Sequence, residues 1–406
     1  MSSPKILQAF YVFVALRWLR LTGALWILYL LHVGWSLWQV GLAEAAFHAV
    51  SFAAGIPTGV FADRVGRRRS LLLGLAIGVL SPPLEYLLAP HSVALGALAI
   101  GFGALSFSFI GGADQALLHD LSRLLPEGRQ AFPRLYGRMD AVSLLSGALA
   151  APLGGWLALS LGWRYPFFGQ SLLTLLAILP VLFLPGGSPA GTSSPSGSGA
   201  WTPPPNLRTA WATLRTTPGL GSLVLFGALL GIVATSNHLY GQSTLTAKGE
   251  TVLAATAVIG LSSLLAALAS SLAHHLRARG TASPMRRGAL ALGLLIAAIG
   301  PARGQGASLV YAAADTVEGG VDVLFATELN HLAPEAVRAT IASIPDALFS
   351  LGMILLFPCE GWAMGRFGLD PVYLALGLVL IAAALLTLGR LPAAQVQPVQ
   401  PRVPPV

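Results

Sequence analysis

Polar positions in this chain fall into short clusters that punctuate long apolar runs. Runs of roughly membrane-spanning length lie near 9–31, 37–61, 70–89, 94–118, 138–160 and 166–185, and again near 219–240, 252–273, 287–302, 307–329, 340–362 and 371–390. The pattern predicts twelve transmembrane helices and an all-α membrane fold, because within lipid a helix satisfies its own backbone hydrogen bonds. Between the sixth and seventh runs, 186–206 is rich in Gly, Ser and Pro and predicts a flexible linker, followed by a short surface helix from Leu207 to Thr217. The expected organisation is a six-helix unit (1–185), a linker (186–218), a second six-helix unit (219–391) and a disordered tail (392–406). The first run is too long for a signal-peptide core and lacks a small-residue cleavage site, so a retained first helix is predicted.

Composition agrees with the periodicity. Of 406 residues, 55% are hydrophobic and 10% charged, and the mean hydropathy is +0.72, too little polar surface for a soluble fold. The net charge of +8 would suggest nucleic acid in a soluble chain; here its distribution assigns it to orientation. With the N-terminus placed inside, eighteen Lys and Arg fall in loops and tails on the inner side and four on the outer. That bias predicts that both termini are cytoplasmic and that there is no nucleic-acid partner. The single Cys359 excludes an intrachain disulfide and reads as a small apolar filler. Lys5 follows Pro4 and Lys248 follows Ala247, so there is no P-loop; neither a nucleophile elbow nor H-E-x-x-H occurs. The expected protein is not an enzyme and carries no cofactor.

One interruption is unlike the rest. Gly55 to Leu73 reads GIPTGVFADRVGRRRSLLL, two apolar runs joined by a tight basic turn with Gly59, Asp63, Arg64, Gly66, Arg67 and Arg68 at fixed offsets. This stretch resembles the loop between the second and third helices of major facilitator superfamily transporters. LNHLAPEAVRATIAS, Leu329 to Ser343, adds a further likeness to bacterial drug-efflux-like members. The resemblance implies two pseudo-symmetric six-helix bundles around a cavity and secondary active transport. It also implies that these loop residues gate the inner side, with Asp63 capping a helix or pairing across to the second half and Arg67 pairing with Asp120 at the inner end of helix four. A simpler role, enforcing orientation alone, stands beside that one. The second-half copy is worn down: with Gly280 laid on Gly66, Arg277 falls where Asp63 stands, so control of the inner gate is expected to be asymmetric. GALAAPLGG, from Gly147 to Gly155, partly resembles the helix-five motif of family exporters, where small residues permit close helix packing.

Intramembrane charge is the remaining signal. Asp315, Glu318 and Asp322 on the tenth helix recur at i, i+3 and i+7, within an arc of about 60°. A charge at the bilayer centre costs roughly 2.5–3.5 kcal/mol on insertion scales, so three carboxyls on one face must look into a cavity or onto protein. Glu318 is nearest mid-span, where burial and like-charged neighbours favour its neutral form, which makes it the candidate proton site. Arg17 and Arg20 share a face of the first helix and are expected to confront this triad across a cavity; in the alternative, Glu44, one turn from His48, pairs with Arg20. Asp346 on the eleventh helix lies at the depth of Asp322, and Asp114 reads as a local hydrogen-bond acceptor. His238 and the His274–His275 pair have no carboxylate or Cys neighbours in sequence, so no metal site is expected.

The combined reading is a transporter that alternates access and exchanges protons for a small amphipathic or cationic solute. The alternative is proton-coupled import of a small anionic metabolite gripped by Arg17 and Arg20. A lesser alternative is a non-transporting receptor or scaffold. The partners implied are a small-molecule substrate, protons and the lipid bilayer, and a twelve-helix unit is expected to work as a monomer.

Overall fold

The computed structural model describes residues 3–185, 206–276, 282–334 and 337–388. Most of the predicted linker (186–205), the tail (392–406), Arg277 and Gly280 lie outside these residues.

Every regular element among the described residues is helical. The first eight α-helices are α1 (Ser3–Trp18), α2 (Trp26–His32), α3 (Leu37–Val65), α4 (Arg67–Leu88), α5 (Val93–Ile110), α6 (Ala113–Ser122), α7 (Phe132–Ser160) and α8 (Arg164–Leu182). A short surface helix, α9 (Asn206–Thr216), leads into α10 (Leu220–Ala247), α11 (Val252–Leu276), α12 (Ala282–Ile299), α13 (Gln305–Leu332), α14 (Arg338–Phe367) and α15 (Leu369–Leu388). Among the described residues nine helices, with α5 and α6 taken as one, are long and apolar enough to cross a membrane: α3, α4, α5–α6, α7, α8, α10, α11, α14 and α15. The other stretches drawn as spans from sequence are interrupted or charged. Helix α1 has 16 residues, α12 opens with Arg286 and Arg287, and α13 carries its three carboxyls.

Two predicted spans are broken. The first apolar run stops being helical over residues 19–25 and resumes as α2; the fourth is interrupted at Gly111 and Gly112, where Gly112 adopts φ +78°. The α3–α4 turn also depends on glycine: Gly66 sits at φ +107°, a region in which a Cβ is strained, so the chain reverses in one residue. At the start of α3, Ser36 and Gln39 form a capping box that satisfies first-turn N–H groups.

Helices α3, α4, α5 and α8 pack side by side, with α1 against α7 and α8. Farther along the chain, α11 packs on α13, α12 on α13 and α15, and α10 on α13, α14 and α15. The long seams between these groups are α3 against α14 and α7 against α11. Small residues make both seams close. A Cβ on Gly41 would strike Phe357 and Pro358 backbone, one on Gly361 the carbonyl of Leu37, and one on Gly260 the carbonyl of Ala148.

Candidate functional site

The break between α1 and α2 leaves backbone groups without helical partners, and two glutamines supply them. Gln170 on α8 accepts the Leu21 N–H at 2.8 Å. Gln242 on α10 spans the gap: its Nε2 donates to the Gly23 carbonyl at 3.0 Å, and its Oε1 accepts the Ile27 N–H at 3.3 Å. Both side chains are buried. A non-helical backbone within a membrane domain persists only where protein or cavity water satisfies it. Gly154 of the GALAAPLGG run lies against the Leu21 carbonyl, where a side chain would collide.

Beside the break is a cavity of about 350 Å³, at the small end of the roughly 300–1,000 Å³ range of ligand sites. Trp26, Phe47 and Phe107 give it an apolar wall, and Arg20, Glu44, His48 and Glu85 give it charge. Arg17 reaches the same wall, but its guanidinium donates to Asp114 at 2.7 Å, and the two side chains are 14% and 11% exposed. Asp114 is therefore an ion-pair partner and not merely a local hydrogen-bond acceptor. Glu44 lies 3.4 Å from His48, and Glu85 Oε1 accepts from Ser81 at 3.2 Å. Arg20 is exposed, lines the cavity and makes no ion pair among the described residues; the acid charges that reach it are those of Glu85 and Glu44.

The expected confrontation of Arg17 and Arg20 with the carboxyls of α13 is not what the structure contains. None of Asp315, Glu318 and Asp322 lines this cavity. Asp315 and the backbone at Gly319 meet α11 instead: Ser262 Oγ donates to Asp315 at 2.6 Å, Ser270 Oγ donates to the Gly319 carbonyl at 2.8 Å, and Gly319 lies against the Ala266 backbone. Exposure rises along the triad. Asp315 is buried, Glu318 is half-buried, and Asp322 is exposed and close enough to Asp346 of α14 for their charges to interact. No cation among the described residues pairs with any of the three.

In the basic turn, Arg67 forms an ion pair with Asp120 and donates to the Ala116 carbonyl at 2.7 Å. Arg68 donates to the Leu182 carbonyl at 2.6 Å, at the C-terminal end of α8, where a cation suits both the orphan carbonyls and the helix dipole. Arg64 is exposed. In this conformation Asp63 is also exposed and makes no cap or ion pair among the described residues. Gly59 lies five turns from Gly41 on the same face of α3, yet Gly41 abuts α14 and Gly59 has open space around it. The α3–α14 seam is closed at the Ser36 end and splayed at the Asp63 end.

Several residues escaped the sequence reading. Glu85 was detectable as an acid inside an apolar run, SPPLEYLL. Gln170 and Gln242 gave no signal, being uncharged and single. Lys248 and Arg303 both hold Asp370, at 2.5 and 2.6 Å, in a cluster that joins the α10–α11 and α12–α13 loops to the first turn of α15. Cys359 is exposed on α14.

A family model described as the Major Facilitator Superfamily matches residues 9–344. An uncharacterized transporter of Buchnera aphidicola subsp. Schizaphis graminum is 30% identical over 183 residues, 44% of this chain and 44% of that protein. The enterobactin exporter EntS of Citrobacter koseri is 27% identical over 219 residues, 50% of this chain and 47% of the exporter. These matches span about half the length of the curated relatives. Among solved structures, the nucleoside transporter NupG superposes with a TM-score of 0.74 at 14% identity, covering 96% of this chain and 98% of that one. A D-xylose-proton symporter superposes with a TM-score of 0.70 at 14% identity, covering 96% and 98%. At such identity the likeness is one of fold.

Proposed function

The chain belongs to the Major Facilitator Superfamily, and from that premise we propose a proton-coupled antiporter that exports a small amphipathic solute bearing a positive group. Counting α1–α2, α12 and α13 with the nine apolar spans gives twelve passes in two six-helix bundles, 1–185 and 219–391, joined by a linker over 186–218. The excess of Lys and Arg at the Asp63 end supports a cytoplasmic placing of that end, and the bacterial relatives support an inner membrane. The splayed α3–α14 seam then makes the conformation inward-open, and a single chain encloses the path.

The observation that carries this reading is the graded carboxyl face of α13. A proton arriving from the outer side passes from buried Asp315 through Glu318 to exposed Asp322 and leaves toward the cytoplasm; lines of intramembrane carboxyls of this kind serve as proton relays in transporters. The solute occupies the separate cavity of Arg20, Glu44 and Glu85. Gating falls to the Arg67–Asp120 pair with Gly59, Asp63, Arg64, Gly66 and Arg68. A second reading, proton-coupled import of a small anion, draws on the guanidinium of Arg20.

Solute flux in proteoliposomes under an imposed pH gradient separates the two, since export moves solute against the proton flow and import moves it with the flow. Glu318→Gln is expected to abolish gradient-driven flux and leave downhill solute exchange intact. Unchanged proton-driven flux in that variant overturns the assignment of the relay.

A further inference from the structure

The state of each charge around the cavity says more about the solute than its net sign does. Arg17 is neutralised by Asp114 at 2.7 Å and offers little to a ligand. Glu44 is engaged by His48 and Glu85 by Ser81, neither of which is a permanent cation. Arg20 is exposed to the cavity without an ion pair among the described residues. The cavity thus presents one guanidinium without an ion pair among the described residues, lined together with two carboxyls.

Each simple solute class leaves one of these groups badly placed. A pure cation drawn to Glu85 displaces water from Arg20 and sets like charges together; a pure anion drawn to Arg20 does the same to Glu44 and Glu85. Uncompensated charge in a desolvated site opposes binding strongly. A solute with both signs satisfies all three groups.

We infer that the solute is a small zwitterion, its carboxylate or phosphate on Arg20 and its ammonium group between Glu44 and Glu85, with its apolar body against Trp26, Phe47 and Phe107. This rests on the assignment of that cavity as the solute site. It draws the two transport readings together, because the Arg20 guanidinium and the flanking acids act on the same molecule.

The test is equilibrium binding to the purified full chain in nanodiscs, read by thermal shift and by calorimetry. The probes are phenylalanine, γ-aminobutyrate and glycyl-phenylalanine, which span a range of charge separations, each with its C-terminal amide and its N-acetyl derivative. At least one zwitterion is expected to bind about thirtyfold or more tightly than both derivatives, the lower end for losing one partner of a desolvated charge pair. Arg20→Gln removes the preference over the amide and Glu85→Gln the preference over the N-acetyl compound, while Arg20→Lys, which keeps the charge, retains most of the first. An amide or N-acetyl derivative that binds as tightly as its parent overturns the inference, as does the absence of binding by every zwitterion in the panel. A zwitterion that binds in this pattern but is not moved by a pH gradient leaves the inference standing and removes the proton-coupled reading instead.

Discussion

Gln242 joins the break in the first helix to α10, and its removal has a calculable effect on the conformational equilibrium. In Gln242→Ala the Gly23 carbonyl and the Ile27 N–H both lose a buried partner. Each such group left unsatisfied costs about 1–3 kcal/mol, so the state closed at this end loses about 2–6 kcal/mol. When α10 withdraws, water reaches both groups and no such penalty applies, so the cost falls on the closed state alone. Even 2 kcal/mol changes a population ratio about thirtyfold, enough to populate a state that is rare in the native protein. Spin labels at His91→Cys, in the α4–α5 loop, and Gln305→Cys, the first residue of α13, on opposite sides of the closed end and in a Cys359→Ser background, report the separation by pulsed dipolar spectroscopy in nanodiscs. The variant is expected to gain a longer-distance population. Gln170→Ala removes the hydrogen bond of Leu21, made between α8 and the same segment, and is expected to lower the melting temperature without lengthening that distance. If Gln242→Ala stays folded with an unchanged distance distribution, the glutamine is not what holds this end shut.

Three further outcomes follow from particular contacts. Arg17→Gln or Asp114→Asn alone strands a buried charge and is expected to destabilise the protein by about 3–5 kcal/mol, whereas the double variant recovers most of the loss; melting curves of the set decide, and equal melting in all three refutes the pair. Gly154→Ala drives a methyl into the Leu21 carbonyl while Gly137→Ala, on the same helix, meets open space; the first is expected to cost about 1–3 kcal/mol and the second to be neutral or slightly stabilising, as read by thermal unfolding in detergent. Asp370→Asn deprives Lys248, whose side chain is 3% exposed, of its counter-charge, so it is expected to lower the melting temperature more than Arg303→Ala, whose side chain is 60% exposed and screened by solvent.

The apolar runs and the basic turn were legible because they are local: a span is a property of about twenty consecutive residues, and Arg67 and Arg68 had to lie at a helix end. The carboxyl face of α13 followed from 3.6-residue periodicity. Which neighbour Asp315 and Gly319 meet did not, since it depends on Ser262 and Ser270 of a helix some fifty residues earlier in the chain. The partner of Arg17 lies 97 residues away, and nothing in the first run separates an arginine that pairs with Asp114 from one that stands free. The break after Trp18 was hidden for a related reason. Residues 19–25 are as apolar as their surroundings, and what stabilises them in a non-helical state is a pair of uncharged amides contributed by α8 and α10. The partner of Asp63 was not legible because it depends on whether α3 and α14 meet at that end, which is set by the conformation and not by the local sequence.

The interrupted first helix also bears on how the protein is made. It emerges before every partner that its awkward groups require: Asp114 for Arg17, Gln170 for the Leu21 N–H, and Gln242 for the far side of the gap. Until the seventh span arrives, this segment is a poor guest in lipid, too charged and too short of hydrogen bonds to settle. A chain that ends before residue 242 therefore lacks the amide that satisfies the Gly23 carbonyl and the Ile27 N–H, so the integrity of the first helix depends on the second half being made.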